Sequence, residues 1–196
     1  MCTLVGDPRA AQEFISWYYQ ASGGNPMFTI DGENITFNAT AEELTQVLAL
    51  YAALFVGATP AGDPNVRGTG WPVEDPGYVQ GKWAMAPMGP WLWGRRTEGE
   101  TEKDILENRT GIMSLPVAEG GVPATYLEVP EFTESDIGWW LQGFADELPI
   151  AIAQAPINWG PVSEANMRAV NFVIYDEQTP VAEGGVPATY LEVKPI

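Results

Sequence analysis

The sequence predicts one compact unit of helices and short apolar strands, α/β or α+β, and three observations carry that reading. Amphipathic helical stripes recur near both ends of the chain, and short apolar runs bounded by Gly and Pro lie between them. The length, 196 residues, suffices for one domain with a real core and is too short for two generous ones. Hydrophobic residues at 45% and aromatic residues at 11% argue against disorder, and eight Trp is a large number for this length.

The first helix is predicted in DPRAAQEFISWYYQASGG, with Asp7 as N-cap and Pro8 at the first helical position, where a missing N–H costs nothing. Phe14, Trp17, Tyr18 and Ala21 share one face, and Gly23 can end the helix in a left-handed conformation. An extended MFTI, a turn at Asp31-Gly32 and a strand-like NITF follow. The second helix opens on a capping box, Thr40 with Glu43, and carries the stripe Leu44, Val47, Leu48, Tyr51, Leu54 and Phe55 up to a stop at Gly57.

From Gly57 to Gly77 the chain is rich in Gly, Pro, Asp and Thr, with Trp71 isolated inside it, and reads as a long surface loop. KWAMAPM reads as a strand leading into a turn at Gly89-Pro90 with an exposed aromatic behind it. Glu98 to Asn108 is a charged helical or loop excursion, and GIMSLPV looks like a strand. TESDIGWWLQGF is a helix that Thr133 can cap, with Ile137, Trp140, Leu141 and Phe144 on one face, weakened by Gly138 and Gly143. After the apolar, Pro-broken LPIAIAQAPINWGP, a third strong helix places Val162, Ala165, Ala169, Val170 and Val173 on one stripe, opened by Asn158 or by Gly160-Pro161.

Charge and composition exclude several function classes. A formal net charge of -17, from 26 acidic and 9 basic residues, offers no footprint for nucleic acid or for an anionic membrane, so partners should be neutral or cationic. The acid excess with few Lys also resembles a salt-adapted surface. With no His and only one Cys, Cys2, Ser-His-Asp and Cys-His catalysis, His-based zinc sites and an internal disulfide are all ruled out. Neither a catalytic residue, a metal nor a cofactor is expected. No apolar run approaches the length of a membrane span, and no signal peptide is read in this chain.

The fourteen residues PVAEGGVPATYLEV occur twice without a difference, Pro116–Val129 and Pro180–Val193. Structural repeats keep a pattern and let residues drift, so verbatim identity points to copying. Each copy could form a hairpin with Glu-Gly-Gly as its turn and ATYLEV as a strand.

Five pieces taken in order resemble the extracellular sugar-binding proteins of ABC importers, the solute-binding family of the maltose-binding type. They are FISWYYQASGG, DGENITFNATAEELTQVLALYAALF, YVQGKWAMAPMGPW, GIMSLPVAEGG and INWGPVSEANMRAVNFVIYDEQTP, and they cover more than half the chain. The resemblance implies a type II periplasmic-binding-protein-like α/β fold, of which this chain carries the C-terminal lobe, a single lobe with helices around a short mixed sheet, truncated and rearranged. The expected organisation is a main lobe segment over 1–129, a returning helical segment over 130–179 and a duplicated extended tail over 180–196.

The resemblance further implies non-catalytic capture of a mono- or oligosaccharide, a transporter permease as partner of the complete protein, and a periplasmic or extracellular location. An indole offers a rigid apolar plane to the C–H face of a pyranose, and Trp91, in Met88-Gly89-Pro90-Trp91, looks like the family's stacking Trp. Trp159 matches a second aromatic contact, while Tyr19 and the Gly23-Gly24 turn would lie near the cleft. Trp83, Trp139 and Trp140 are expected as core or interface residues, and Glu74, Asp75 and EGETEKD offer carboxylates at many spacings with nothing in the sequence to pair them across a cleft. A lone lobe would expose its binding face, which a homodimer could cover. Two other readings compete: a recombined or constructed sequence that folds without selected activity, and a carbohydrate-active enzyme.

Overall fold

A computed structural model describes residues 10–117, 119–126, 138–146, 148–152, 159–175, 181–182 and 186–187. Among them helices dominate, and the strands form three separate two-stranded pairs. The mixture of helix and strand follows the expectation. Among the described residues no strand pairs with more than one neighbour, so they show no continuous mixed sheet.

The first helix, α1, spans Ala10–Ala21 and buries Phe14, Trp17 and Tyr18. Asp7 and Pro8 lie outside the described residues. Strands β1 (Phe28–Asp31) and β2 (Asn34–Phe37) pair antiparallel with Asp31 opposite Asn34, so the turn residues are Gly32 and Glu33. Helix α2, Ala41–Phe55, carries the complete capping box, Thr40 accepting from the Glu43 amide while the Glu43 carboxylate accepts from the Thr40 amide. The six stripe residues from Leu44 to Phe55 are all buried. The phenol of Tyr18 donates to the same Glu43 carboxylate at 3.2 Å, tying α1 to the start of α2. Burial, with the Glu43 charge second, pushes that phenol well above its ordinary range.

Residues 57–77 depart from the predicted loop. A short 3-10 turn spans Pro64–Val66, and helix α3 spans Trp71–Val79. Pro72 sits in the first turn of α3, where its missing N–H is harmless. Pro76 removes one ladder bond, yet Glu74, Asp75, Gly77 and Val79 are buried, so packing holds a segment whose composition argues against helix. Trp83 lies against Gly77 so closely that a Cβ there would collide with the indole, and its Nε1–H donates to Asp63 at 2.9 Å.

The two apolar runs expected as strands, KWAMAPM and GIMSLPV, form no strand. Trp83 and Ala86 pack on one hydrophobic cluster and Met88 on another; Ile112 packs on the second and Leu115 on the first. Both runs are crossings between two cores, and their hydrophobicity serves packing at each end. Between them Pro90–Thr97 forms a 3-10 helix, α4 spans Glu100–Asp104, and Ile105–Arg109 continues it as a π turn.

Helix α5, Gly138–Ala145, buries Trp140 as expected, while Trp139 is 47% exposed rather than core. Thr133 and Ile137 lie outside the described residues, as does the side chain of Leu141. Helix α6, Trp159–Ile174, buries Ala169, Val170, Val173 and Ile174 and begins on Trp159, so Gly160 and Pro161 fall in its first turn. Asn158 lies outside the described residues.

The first core unites α1, α2 and α6 with Met27, Ala39 and Val66. The second unites Val79 of α3, Leu92 and Trp93, Leu106, and Trp140 of α5. The two copies of PVAEGGVPATYLEV pair differently. In the first, β3 (Thr125–Tyr126) runs parallel to β4 (Ala151–Ile152). In the second, β5 (Val181–Ala182) pairs antiparallel with β6 (Val186–Pro187), which lies against α2.

Candidate functional site

An open cleft of about 330 Å³ is lined by Trp71, Asp75, Trp91, Gly94, Arg95 and Glu98. It lies on the second core, between the first turn of α3 and the Pro90–Thr97 helix. Helix α3 presents Trp71, 44% exposed at the rim, and Asp75, which is buried. The 3-10 helix presents Trp91, 36% exposed, together with Arg95. The ring of Trp91 lies against Gly89, where a Cβ would collide with its six-membered ring, so the glycine sets how the indole seats. Trp140 holds this segment from beneath by donating its indole N–H to the Pro90 carbonyl at 3.1 Å.

Arg95 organises the polar part of the cleft. Its Nη2 and Nε donate to Asp75 Oδ2 at 3.2 and 3.4 Å, and its Nη1 donates to Glu98 Oε1 at 3.0 Å. Asp75 is the buried member and Glu98 the exposed one. A guanidinium clamped by two carboxylates is fixed in orientation, so the cleft has a preset polar wall beside two indoles.

Of the residues expected at a site, Trp91 lines this cleft, while Gly89 does not line it and lies against the Trp91 ring. Tyr19 and Gly23 do not line the cleft. They belong to the C-terminal end of α1, where Gly23 adopts φ 70° and the Tyr19 ring and the Val122 side chain both approach Gly24. There Gln20 donates to the Ala124 carbonyl at 3.1 Å and accepts from the Val122 amide at 3.3 Å, which docks the first repeat copy onto α1. Trp159 is the first residue of α6, and its side chain lies outside the described residues.

Sequence reading missed Trp71, Arg95 and Glu98 as site residues. One guanidinium reaches both Asp75 and Glu98, because folding α3 brings Asp75 beside a segment 20 residues later. The Arg95–Glu98 spacing of i, i+3 was the one local signal available.

Among the described residues no group of three or more His, Cys, Asp or Glu could hold a metal ion, and no helix is long and apolar enough to cross a membrane. No family model, no curated protein and no solved structure matches the chain.

Proposed function

We propose that the chain captures a carbohydrate without chemistry, as a substrate-binding lobe of the kind that serves ABC sugar importers, and that the Trp71–Trp91 cleft is where the sugar lies. The observation that carries this reading is the pair of exposed indoles beside an ion-paired Arg95. Indoles take the apolar face of a pyranose, and the polar wall supplies donors and acceptors for its hydroxyls. Both cleft carboxylates are engaged by one guanidinium, whereas glycoside hydrolysis needs two carboxyl groups facing each other across a scissile bond, which favours binding over catalysis.

The test is titration calorimetry with maltose, trehalose, cellobiose and xylo-oligosaccharides. Trp91→Ala is expected to weaken the bound sugar at least about tenfold while changing stability little, since the ring is partly exposed and its loss removes mainly stacking. Unfolding of that variant would make Trp91 a structural residue and end the assignment.

A second reading, a recombined sequence without selected activity, is favoured by the repeat. Verbatim identity over fourteen residues points to copying, and among the described residues Thr125–Tyr126 of the first copy pair with β4 while Val181–Ala182 of the second pair with its own Val186–Pro187. A cooperative melt with no heat from any sugar at millimolar concentration supports this second reading.

A further inference from the structure

We infer that the Trp71–Trp91 cleft selects an amino sugar, a pyranose bearing a protonated ammonium group, over the neutral sugar of the same shape. This rests on the carbohydrate reading above and sharpens it.

Three features of the cleft converge on a cationic ring. The first is its charge. Two carboxylates, Asp75 and Glu98, face one guanidinium, so the lining carries one surplus negative charge. Asp75 is buried against Nε and Nη2 of Arg95, while the half-exposed Glu98 receives only Nη1 on Oε1 and carries the surplus toward solvent. The neighbouring cation, Arg96, is directed elsewhere: it lies 5.1 Å from the Trp93 ring centroid and donates to the Trp93 carbonyl. The second is the pair of indoles, whose faces attract a cation as well as a C–H face. The third is the field of the whole chain, whose net charge of -17 concentrates cations at its surface and repels uronic or phosphorylated sugars. A hydroxyl at the same ring position would donate a hydrogen bond to the Glu98 carboxylate, and an ammonium would add to that bond the attraction of its own charge.

The experiment compares three oligosaccharides with one β-1,4-linked backbone: oligomers of glucosamine, of N-acetylglucosamine and of glucose. Titration calorimetry at low ionic strength is expected to show the glucosamine oligomer binding about fivefold or more tightly than the other two. That margin should shrink in half-molar salt, as screening requires, and should vanish in Glu98→Gln, whose exposed side chain can change without disturbing a core. In Trp91→Ala the glucosamine oligomer should lose its binding, which separates a seated ligand from cations spread over an acidic surface.

Equal affinity for all three oligomers, or tighter binding of a neutral one, overturns the inference and leaves the carbohydrate reading standing. Glucosamine binding that survives in Trp91→Ala overturns it as well. If tetramethylammonium binds as tightly as the amino sugar, the cleft is a cation cage and the carbohydrate reading itself fails. If no oligomer binds to the folded chain, both fail.

Discussion

The core of α1, α2 and α6 and the smaller core beneath the cleft are built from different kinds of sequence. Among the described residues the first buries sixteen apolar side chains, most of them on helical stripes, while the second buries five, two of them Trp. In the first, the ring of Tyr51 packs on Trp17 at 5.0 Å and stacks on Phe14 at 6.2 Å, so three rings join two long helices. In the second, Trp93, Trp139 and Trp140 meet one another at 5.2 to 5.5 Å, and short helical turns rich in Gly and Pro are gathered around them. A core of many aliphatic contacts tolerates the loss of one. A core of five depends on each, and it is this one that positions the candidate site.

The largest expected effect tests that dependence. Trp140→Ala should cost about 3–5 kcal/mol, the range for emptying a fully buried aromatic position, and it also removes the hydrogen bond to Pro90 that seats the Trp91 segment. Leu48→Ala, in the middle of α2 and fully buried, should cost about 2–5 kcal/mol and leave the cleft intact. Urea midpoints measure the first quantity and sugar affinity of the folded fraction the second. If Leu48→Ala weakens binding as much as Trp140→Ala does, the two cores do not divide the work of folding and site support.

The same division explains what could be read from the residues. The three long helices were legible from their apolar stripes, and in α2 stripe, cap and stop all agree: Thr40 and Glu43 open it, its six stripe residues are buried, and Gly57 follows its end with φ 109°. The β1–β2 hairpin was legible from Asp31-Gly32 between two short extended runs. The second region was not. Trp71 and Pro76 lie in a segment whose composition signals a loop, and only burial of Glu74, Asp75 and Val79 makes it helical. KWAMAPM and GIMSLPV have strand-like composition, but their side chains are divided between two clusters, which periodicity along one segment cannot reveal. Of the residues lining the cleft, only Trp91 is singled out by the resemblance, whereas Trp71, Asp75, Arg95 and Glu98 converge only once α3 is in place.

A smaller perturbation probes the junction between the cores. Gly77→Ala would place a methyl group inside the volume of the Trp83 ring, which packs between α3 and the first core. Moving a packed indole should cost about 1–3 kcal/mol, as overpacking does. A clash-relieving second change, Trp83→Leu in the same chain, should recover part of that loss; additive losses in a double-mutant cycle would show that the two residues do not touch.

The smallest effect concerns Asp63, the acceptor for Trp83. The indole N–H, followed by the Asn65 amide, holds its carboxyl below the ordinary carboxylate range. Because the folded value is depressed, the contribution is complete above the unfolded value of about 3.9 and is lost as pH falls through the folded one. The carboxylate is largely solvated, so the contribution should stay below about 1 kcal/mol. Asp63→Asn removes the charge and keeps an acceptor for the indole. Wild type should therefore exceed the variant at neutral pH, and their urea midpoints should converge on acidification below the carboxylate range. A gap that instead widens in acid would place the acid-sensitive contact elsewhere and detach Trp83 from the electrostatics of the loop it anchors.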